Sequence, residues 1–432
     1  MPSTKSATNR FDSPQNMTYS CWELRRFNRD PMKHLNQHEK AQTDIGMEQI
    51  VRNRPKAIIL SAASGYGGGE RSLEMLLSLL AHDYELHLLI ENRRHLSRCQ
   101  HLLTGTDAKI TPLPIWYRPL QILHAIVWLL RRWRLKPDFI LTNTNKSAFV
   151  VALVSRLLPR VGKKANVYVR DFQWKQLNFI AKSLKRSLFL VPSPELVEYN
   201  GYLADHLRPR GPARWAVVPN AASIERTENP AALPEQLVGM RYILSLATIT
   251  RWKGQEYAIE ALGMLPSDIH LVISGDVADQ SYLDQLIAMA STLGLGNRVH
   301  FLGFQDDPTS LLQNAICVAI TSVSRHGGPE TFGRVVIEAW MHSTPVVSFE
   351  TGGPKHLIAA GATGFFAPEF DVSALAAAIR WIIDNPDGAA AIAKRGNHEV
   401  RDRYEREKIY ELLLEIVRDN ETKSLAPATS LR

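Results

Sequence analysis

From Lys56 onward the chain alternates short apolar runs with segments of helical period, in two series separated by an unpatterned stretch. That alternation constrains the fold more than any other feature. Strand, helix and strand in succession build parallel sheets with helices on both faces. In the first series, strands are expected at Ala57–Leu60, Leu86–Ile90, Phe139–Thr142, Asn166–Arg170, Leu188–Val191 and Val217–Pro219. In the second they are expected at Tyr242–Ala247, His270–Ser274, Val299–Leu302, Val318–Thr321 and Pro345–Ser348. The expected fold is therefore α/β, with two Rossmann-like, doubly wound parallel-sheet domains facing across a cleft. Ligands of such sheets sit at the carboxyl ends of the strands.

This reading divides the chain at 55–222 and 237–400, with an Ala/Pro/Glu-rich linker at 223–236. Residues 1–54 are polar and lack sustained periodicity, so a disordered tail is expected there. A charged amphipathic segment at 401–420 is expected to cross back onto the first domain, and 421–432 to form a flexible end.

Composition narrows the class. The 432 residues are 45% hydrophobic and 22% charged, ordinary for a globular protein of two or three domains. Cys21, Cys99 and Cys317 are too far apart for a metal-binding spacing or a disulfide framework, which favours a reducing compartment. No stretch reaches the roughly 18 apolar residues of a membrane span, and the N-terminus has no signal-peptide pattern. A cytoplasmic protein is expected, or one peripheral on the inner face of a membrane.

The net charge of +8 is unevenly spread. Between Arg156 and Arg186 there are nine Lys/Arg and one acid, Asp171, whereas 237–400 holds ten Lys/Arg and sixteen Asp/Glu. Basic residues also interleave with apolar ones from Trp116 to Arg134, as at an anionic membrane surface or an acidic partner. A helix docked on its own sheet with a solvated basic edge has the same period. Nucleic acid is not expected, since zinc-finger spacing and RNA-binding aromatic motifs are both missing.

Four motifs point to chemistry. Gly67-Gly68-Gly69-Glu70-Arg71 follows the first strand and opens the first helix, where backbone N–H groups can approach an anion. No Gly-Lys-Ser/Thr follows, so it is not a P-loop. A tight strand-to-helix turn is the plain alternative. Arg251-Trp252-Lys253 lies where the first strand of the second series ends, and its two cations suit a diphosphate. Ser274-Gly275-Asp276 ends the next strand. Glycine there admits close backbone approach to a base or ribose, while Asp276 also fits a helix or turn cap.

The fourth motif is Pro329-Glu330-Thr331-Phe332-Gly333-Arg334-Val335-Val336-Ile337-Glu338. One carboxylate sits in a Pro/Gly-flanked turn and a second falls within the helix that opens at Gly333. A helix N-terminus suits a phosphate. Carboxylates on either side suit hydroxyls next to that phosphate, as in a nucleotide sugar. Alternatively, Glu338 pairs with a neighbouring arginine.

Taken in order, Arg251-x-Lys253, Ser274-Gly275-Asp276, the Glu330/Glu338 pair and Gly352-Gly353 resemble retaining glycosyltransferases of family 4, which have the GT-B fold. The loop at Gly67–Gly69 is similar to that family's acceptor-side glycine loop. The resemblance covers about 56–418. It implies metal-independent transfer from a UDP- or GDP-sugar to a saccharide or lipid-linked acceptor, with retention at the anomeric carbon. No cofactor is implied beyond the donor itself.

On this resemblance, Arg251 and Lys253 hold the diphosphate, and Glu330 contacts the donor sugar. Glu338 binds the ribose, Phe332, Gly333, Gly275 and Asp276 complete the donor site, and Arg170 and Asp171 lie on the acceptor side with the glycine loop. The chain departs from the family at Val169-Arg170-Asp171, where many members carry His-Asp, and at Ser343, usually glycine. A GT-B nucleotide-sugar epimerase and a non-catalytic sugar- or partner-binding relative are the alternatives.

Overall fold

A computed structural model of the protein describes residues 54–114, 117–172, 176–198, 214–223 and 231–425. The expectations for 1–53, most of the linker (224–230) and 426–432 lie outside these residues. The first sheet contains β1 (Lys56–Ser61), β2 (Glu85–Ile90), β3 (Lys109–Pro112), β4 (Phe139–Thr142), β5 (Ala165–Tyr168), β6 (Leu188–Val191) and β7 (Arg214–Val217), in the order β3-β2-β1-β4-β5-β6-β7. The second contains β8 (Arg241–Leu246), β9 (Ile269–Ser274), β10 (Val299–Gly303), β11 (Cys317–Ile320), β12 (Val346–Phe349) and β13 (Phe365–Ala367), in the order β10-β9-β8-β11-β12-β13. Every pairing between these strands is parallel.

Both sheets thus reverse their winding beside the first strand of their domain. The crevices open there, between β1 and β4 and between β8 and β11. The central strands are apolar on both sides because helices cover both faces; Ala57, Ile58, Ile59 and Leu60 are all buried. Strands β3 and β13 were not among the expected ones. Both are short edge strands with half-exposed residues; β3 (Lys109–Pro112) mixes polar and apolar residues, and β13 is an apolar run of only three residues.

The helices used below are α1 (Gly68–Asp83), α2 (Arg93–Leu102), α3 (Arg118–Trp133), α4 (Asn145–Leu157), α5 (Gln280–Thr292), α6 (Arg334–Met341) and α7 (Arg406–Leu425). Helices α3 and α4 pack on one face of the first sheet through Ala125, Trp128, Leu129, Val150, Val151 and Val154. On the other face, α1 and α7 share a core in which Leu73, Leu77, Ile409 and Leu413 are buried. Just before α7, Val400 and Tyr404 are buried in the second domain's core, while Tyr410 Oη donates to Asp83 of α1 at 2.6 Å. The C-terminal segment therefore ties the two domains together. Among the described residues, no helix is long and apolar enough to cross a membrane.

Candidate active site

The carboxyl ends of the two sheets face one another across a cleft of about 980 Å³. From the first domain it is lined by the loop after β1 (Ala62 to Gly69), by Asn143 to Lys146 after β4, and by Arg170 and Asp171 after β5. From the second come Leu246 to Thr248, Lys253, Ser274 to Asp276, Phe304, and the stretch Glu330 to Val335 with Glu338.

Gly67 caps α1, and its N–H donates to Glu70 Oε2 at 3.0 Å, which fixes the glycine loop against the first turn. Burial pushes the Glu70 carboxyl above its usual range, against the opposing pull of hydrogen bonds and Arg170. Gly69 lies under Arg170; a Cβ there would come within 2.8 Å of Arg170 Cδ. Arg170 itself donates to Asn143 Oδ1 at 2.7 Å and Asn220 Oδ1 at 2.8 Å, with its guanidinium 3.7 Å from the centre of the Tyr168 ring. Asp171 is exposed at the rim.

On the opposite wall, Lys253 Nζ pairs with Glu330 Oε1, and Ser322 Oγ donates to the same oxygen at 3.2 Å. The turn carrying Glu330 is held from beneath by the glycine turn after β12. Gly353 N donates to Glu330 O at 2.7 Å, and a Cβ on Gly353 would meet Phe332 Cα at 2.3 Å. Gly333 caps α6 with φ of 88°, a left-handed conformation that glycine adopts without strain. Phe332 offers the cleft its backbone, since its ring is buried and packs edge-on to Tyr404.

Glu338 Oε1 accepts from Arg334 Nε at 2.7 Å and lies 3.7 Å from Arg71 Nη1 of the first domain. Burial opposes the charge on Glu338, but Arg71 and Arg334 outweigh it and hold the carboxyl below its usual range. Glu338 therefore adds stability above the unfolded carboxylate pKa of about 4.3, and loses it as pH falls towards the depressed folded value. Urea titrations of the native chain and Glu338→Gln are expected to differ most near neutral pH and to converge once the pH is below the depressed folded value.

Lys253, Glu330, Glu338, Phe332, Gly333, Gly275, Asp276, Gly67 to Gly69, Arg170 and Asp171 all line one cleft. Arg251 does not. It sits in a short turn, donates to Gln285 Oε1 at 3.0 Å, pairs with Asp279 at 3.5 Å and overlies the Tyr282 ring. All three partners belong to α5 or its cap. Two residues further along the 3₁₀ turn, about 120° round its axis, Lys253 lines the cleft instead. Arg251→Ala is expected to change donor affinity by less than about threefold, as for an exposed pair. A thermal-shift titration with nucleoside diphosphate checks this.

Asp276 lines the cleft but is engaged by Arg94 of α2 at 2.8 Å, across the domain boundary. Two further cations line the cleft, Arg71 and Arg334, which stand in the sequence motifs without a role there. Their signal was position: each lies in the first four residues of a helix capped by glycine. Burial presses the Arg334 and Arg170 guanidiniums towards lower pKa. With Arg71 they set three buried or half-buried cations against Glu70 and Glu338 at the floor of the cleft.

Cys99 lies beside His95 and Glu74, all three buried, with ligand-type atoms within 4.8 Å of one another. Glu74 is already saturated by His95 at 2.7 Å, Arg98 at 2.8 Å and Tyr66 Oη at 2.9 Å. Burial lifts the Cys99 thiol far above its usual range. These contacts tie the three side chains into a buried hydrogen-bond network with Arg98 and Tyr66.

Two facing parallel sheets joined by a C-terminal helix that returns to the first define the GT-B architecture. Solved structures agree. HepE of Anabaena in complex with UDP-glucose superposes with a TM-score of 0.71 at 22% identity, over 84% of this chain and 99% of that one. Sucrose-phosphate synthase of Thermosynechococcus elongatus gives 0.68 at 19%, over 86% of this chain and all of that one.

Residues 234–399, the second domain, match the family model "Glycosyl transferases group 1". The lipopolysaccharide core biosynthesis glycosyltransferase LpsE of Rhizobium meliloti is 31% identical over 175 residues, 40% of this chain and 49% of LpsE. A Campylobacter jejuni N-acetylgalactosaminyltransferase, named for a diphospho-undecaprenol acceptor, is 25% identical over 298 residues, 66% of this chain and 77% of that enzyme. For LpsE and most other curated relatives the match spans about half their length or less.

Proposed function

We propose that this protein is a glycosyltransferase that moves a sugar from a nucleotide-sugar donor to a saccharide or lipid-linked acceptor, with retention and without a metal ion. The observation that carries this reading is the wall formed by Lys253–Glu330, the N-terminus of α6 at Gly333 and the Arg334–Glu338 pair, opposite the glycine loop of the first domain. A nucleoside diphosphate leaves with its negative charge increasing. Lys253 and the free N–H groups of α6 stabilise that charge in a site partly shielded from water. The surplus of cations at the cleft floor favours the same anion, which relieves the cost of holding guanidiniums there.

In this reading Glu330 accepts from a hydroxyl of the donor sugar, and the Lys253 ammonium passes from Glu330 to the diphosphate as the donor seats. Glu338 Oε1 is taken by the two arginines, which leaves Oε2 for the ribose hydroxyls. No nucleophile and acid pair is required, because a departing phosphate can accept the proton of an acceptor attacking from the same face. Lipid-linked acceptors would place the enzyme peripherally at a bilayer, and assembly of cell-surface polysaccharide or glycolipid is the setting that the names of LpsE and the Campylobacter enzyme suggest.

A panel of UDP-, GDP- and ADP-sugars tests the reading. At least one is expected to raise the unfolding temperature in EDTA, as a ligand bound only to the native state must. If none does, at concentrations far above ordinary donor affinities, the proposal fails.

A further inference from the structure

Helix α3 is held to the protein along one face and left bare along another. Ala125, Trp128 and Leu129 are buried in the core of the first domain. Tyr117, Leu120, Leu123 and Val127 are 75%, 52%, 56% and 37% exposed. At about 100° per residue these four fall on a separate stripe, and exposed Arg131 and Arg134 continue it beyond the last apolar residue. Helix α4, packed on the same side of the sheet, ends with Leu157 at 76% exposure beside exposed Arg156 and Arg160. From Lys109 to Pro137 the chain carries six Lys/Arg and no acid.

We propose that this face of the first domain, centred on α3, docks on an anionic lipid bilayer. An exposed apolar stripe that runs into cations along one convex helix matches the acyl–headgroup boundary, which takes both at once. A protein partner would need an acidic groove to receive such a ridge. The orientation that follows bears on function: the first turns of α3, through Arg118, Gln121 and Ile122, also line the cleft. Docking of α3 therefore sets the first-domain mouth of the cleft at the membrane surface, where the anionic linker of a lipid-borne acceptor would lie. The second domain, acidic in balance, is left towards solvent. This orientation rests on the glycosyltransferase reading; the docking itself does not.

Sedimentation of the full chain with phosphatidylcholine vesicles, with and without phosphatidylglycerol, tests it without donor or acceptor. The chain is expected to pellet with the anionic vesicles at low salt and to be released at high salt. Leu120→Glu/Leu123→Glu is expected to lose binding, and Arg131→Glu/Arg134→Glu to weaken it by at least about tenfold. All four residues are at the surface and outside the cleft lining, so unfolding temperature and donor protection should remain those of the native chain.

Equal vesicle binding by native chain and variants would overturn the proposal, as would failure of the native chain to bind. So would a dimer in solution dissociated by the leucine double variant, or binding that appears only after residues 1–53 are deleted. In those cases the face is covered by a second copy or by the chain's own N-terminus. Vesicle binding without donor protection would keep the docking and sink the transferase reading. The reverse result would do the opposite.

Discussion

Lys253→Ala is expected to lower sugar transfer by about a hundredfold or more while the protein stays folded. The lysine ends the turn after β8, spans the cleft wall to Glu330, and packs its ammonium 4.0 Å from the centre of the Trp252 ring. Its side chain is only 12% exposed, so its charge acts in a less polar medium than bulk water. Removal of one preorganised donor from a site where charge develops typically costs about two to three orders of magnitude in kcat. In the proposed reaction the charge grows as the diphosphate leaves, so the loss should fall on kcat more than on donor affinity. Glu330→Gln should also impair turnover, with the lysine left free to bind phosphate. Steady-state transfer assays decide. A Lys253→Ala enzyme within threefold of native kcat would remove the lysine from the chemistry.

Arg334→Ala is expected to produce the largest loss of stability, about 3–5 kcal/mol, because it leaves the buried Glu338 carboxylate without its closest partner. Arg334 and Glu338 have side-chain exposures of 9% and 11%, so solvent screens the pair little. Arg71 remains 3.7 Å away and offsets part of the cost. Stability and ligand binding separate in the double variant Arg334→Met/Glu338→Met. Two apolar side chains of similar length replace the pair, so most of the stability should return, as measured by urea unfolding. Protection by nucleoside diphosphate should not return, since the guanidinium and the carboxylate proposed to bind the ribose are both gone. Protection by the double variant equal to that of the native chain would show the pair to be structural alone.

Much of the architecture could be read from the sequence. The βα alternation implied two parallel sheets, because buried parallel strands need continuous apolar runs such as Ala57–Leu60 and helices need a period near 3.6. Strands β3 and β13 escaped that reading because β3, at an edge, carries mixed residues, and the apolar run of β13 is only three residues long. Most of the site was also visible. Glycines at strand ends and carboxylates at a helix start are local features, and each occupies the strand-end position that sheet topology assigns to ligands.

What the sequence could not supply was direction. Arg251 and Lys253 are two residues apart and chemically alike, yet one turns onto α5 and the other into the cleft. Only the partners waiting on each side, Gln285 and Asp279 for one and Glu330 for the other, decide between them. The alternative in which Glu338 pairs with a neighbouring arginine, open from sequence, is realised with Arg334 four residues before it and with Arg71, 267 positions away on the other domain. Asp276 likewise meets Arg94 only because the domains face each other.

The sequence by itself determined the two-sheet plan, the basic first half and the strand-end motifs, because periodicity, net charge and turn chemistry are properties of neighbouring residues. Tertiary structure alone decided which cations enter the cleft, which carboxylate oxygens are already paired, and which stripe of α3 stays bare. Each of those depends on groups that folding brings together from distant parts of the chain, and no local pattern encodes that proximity.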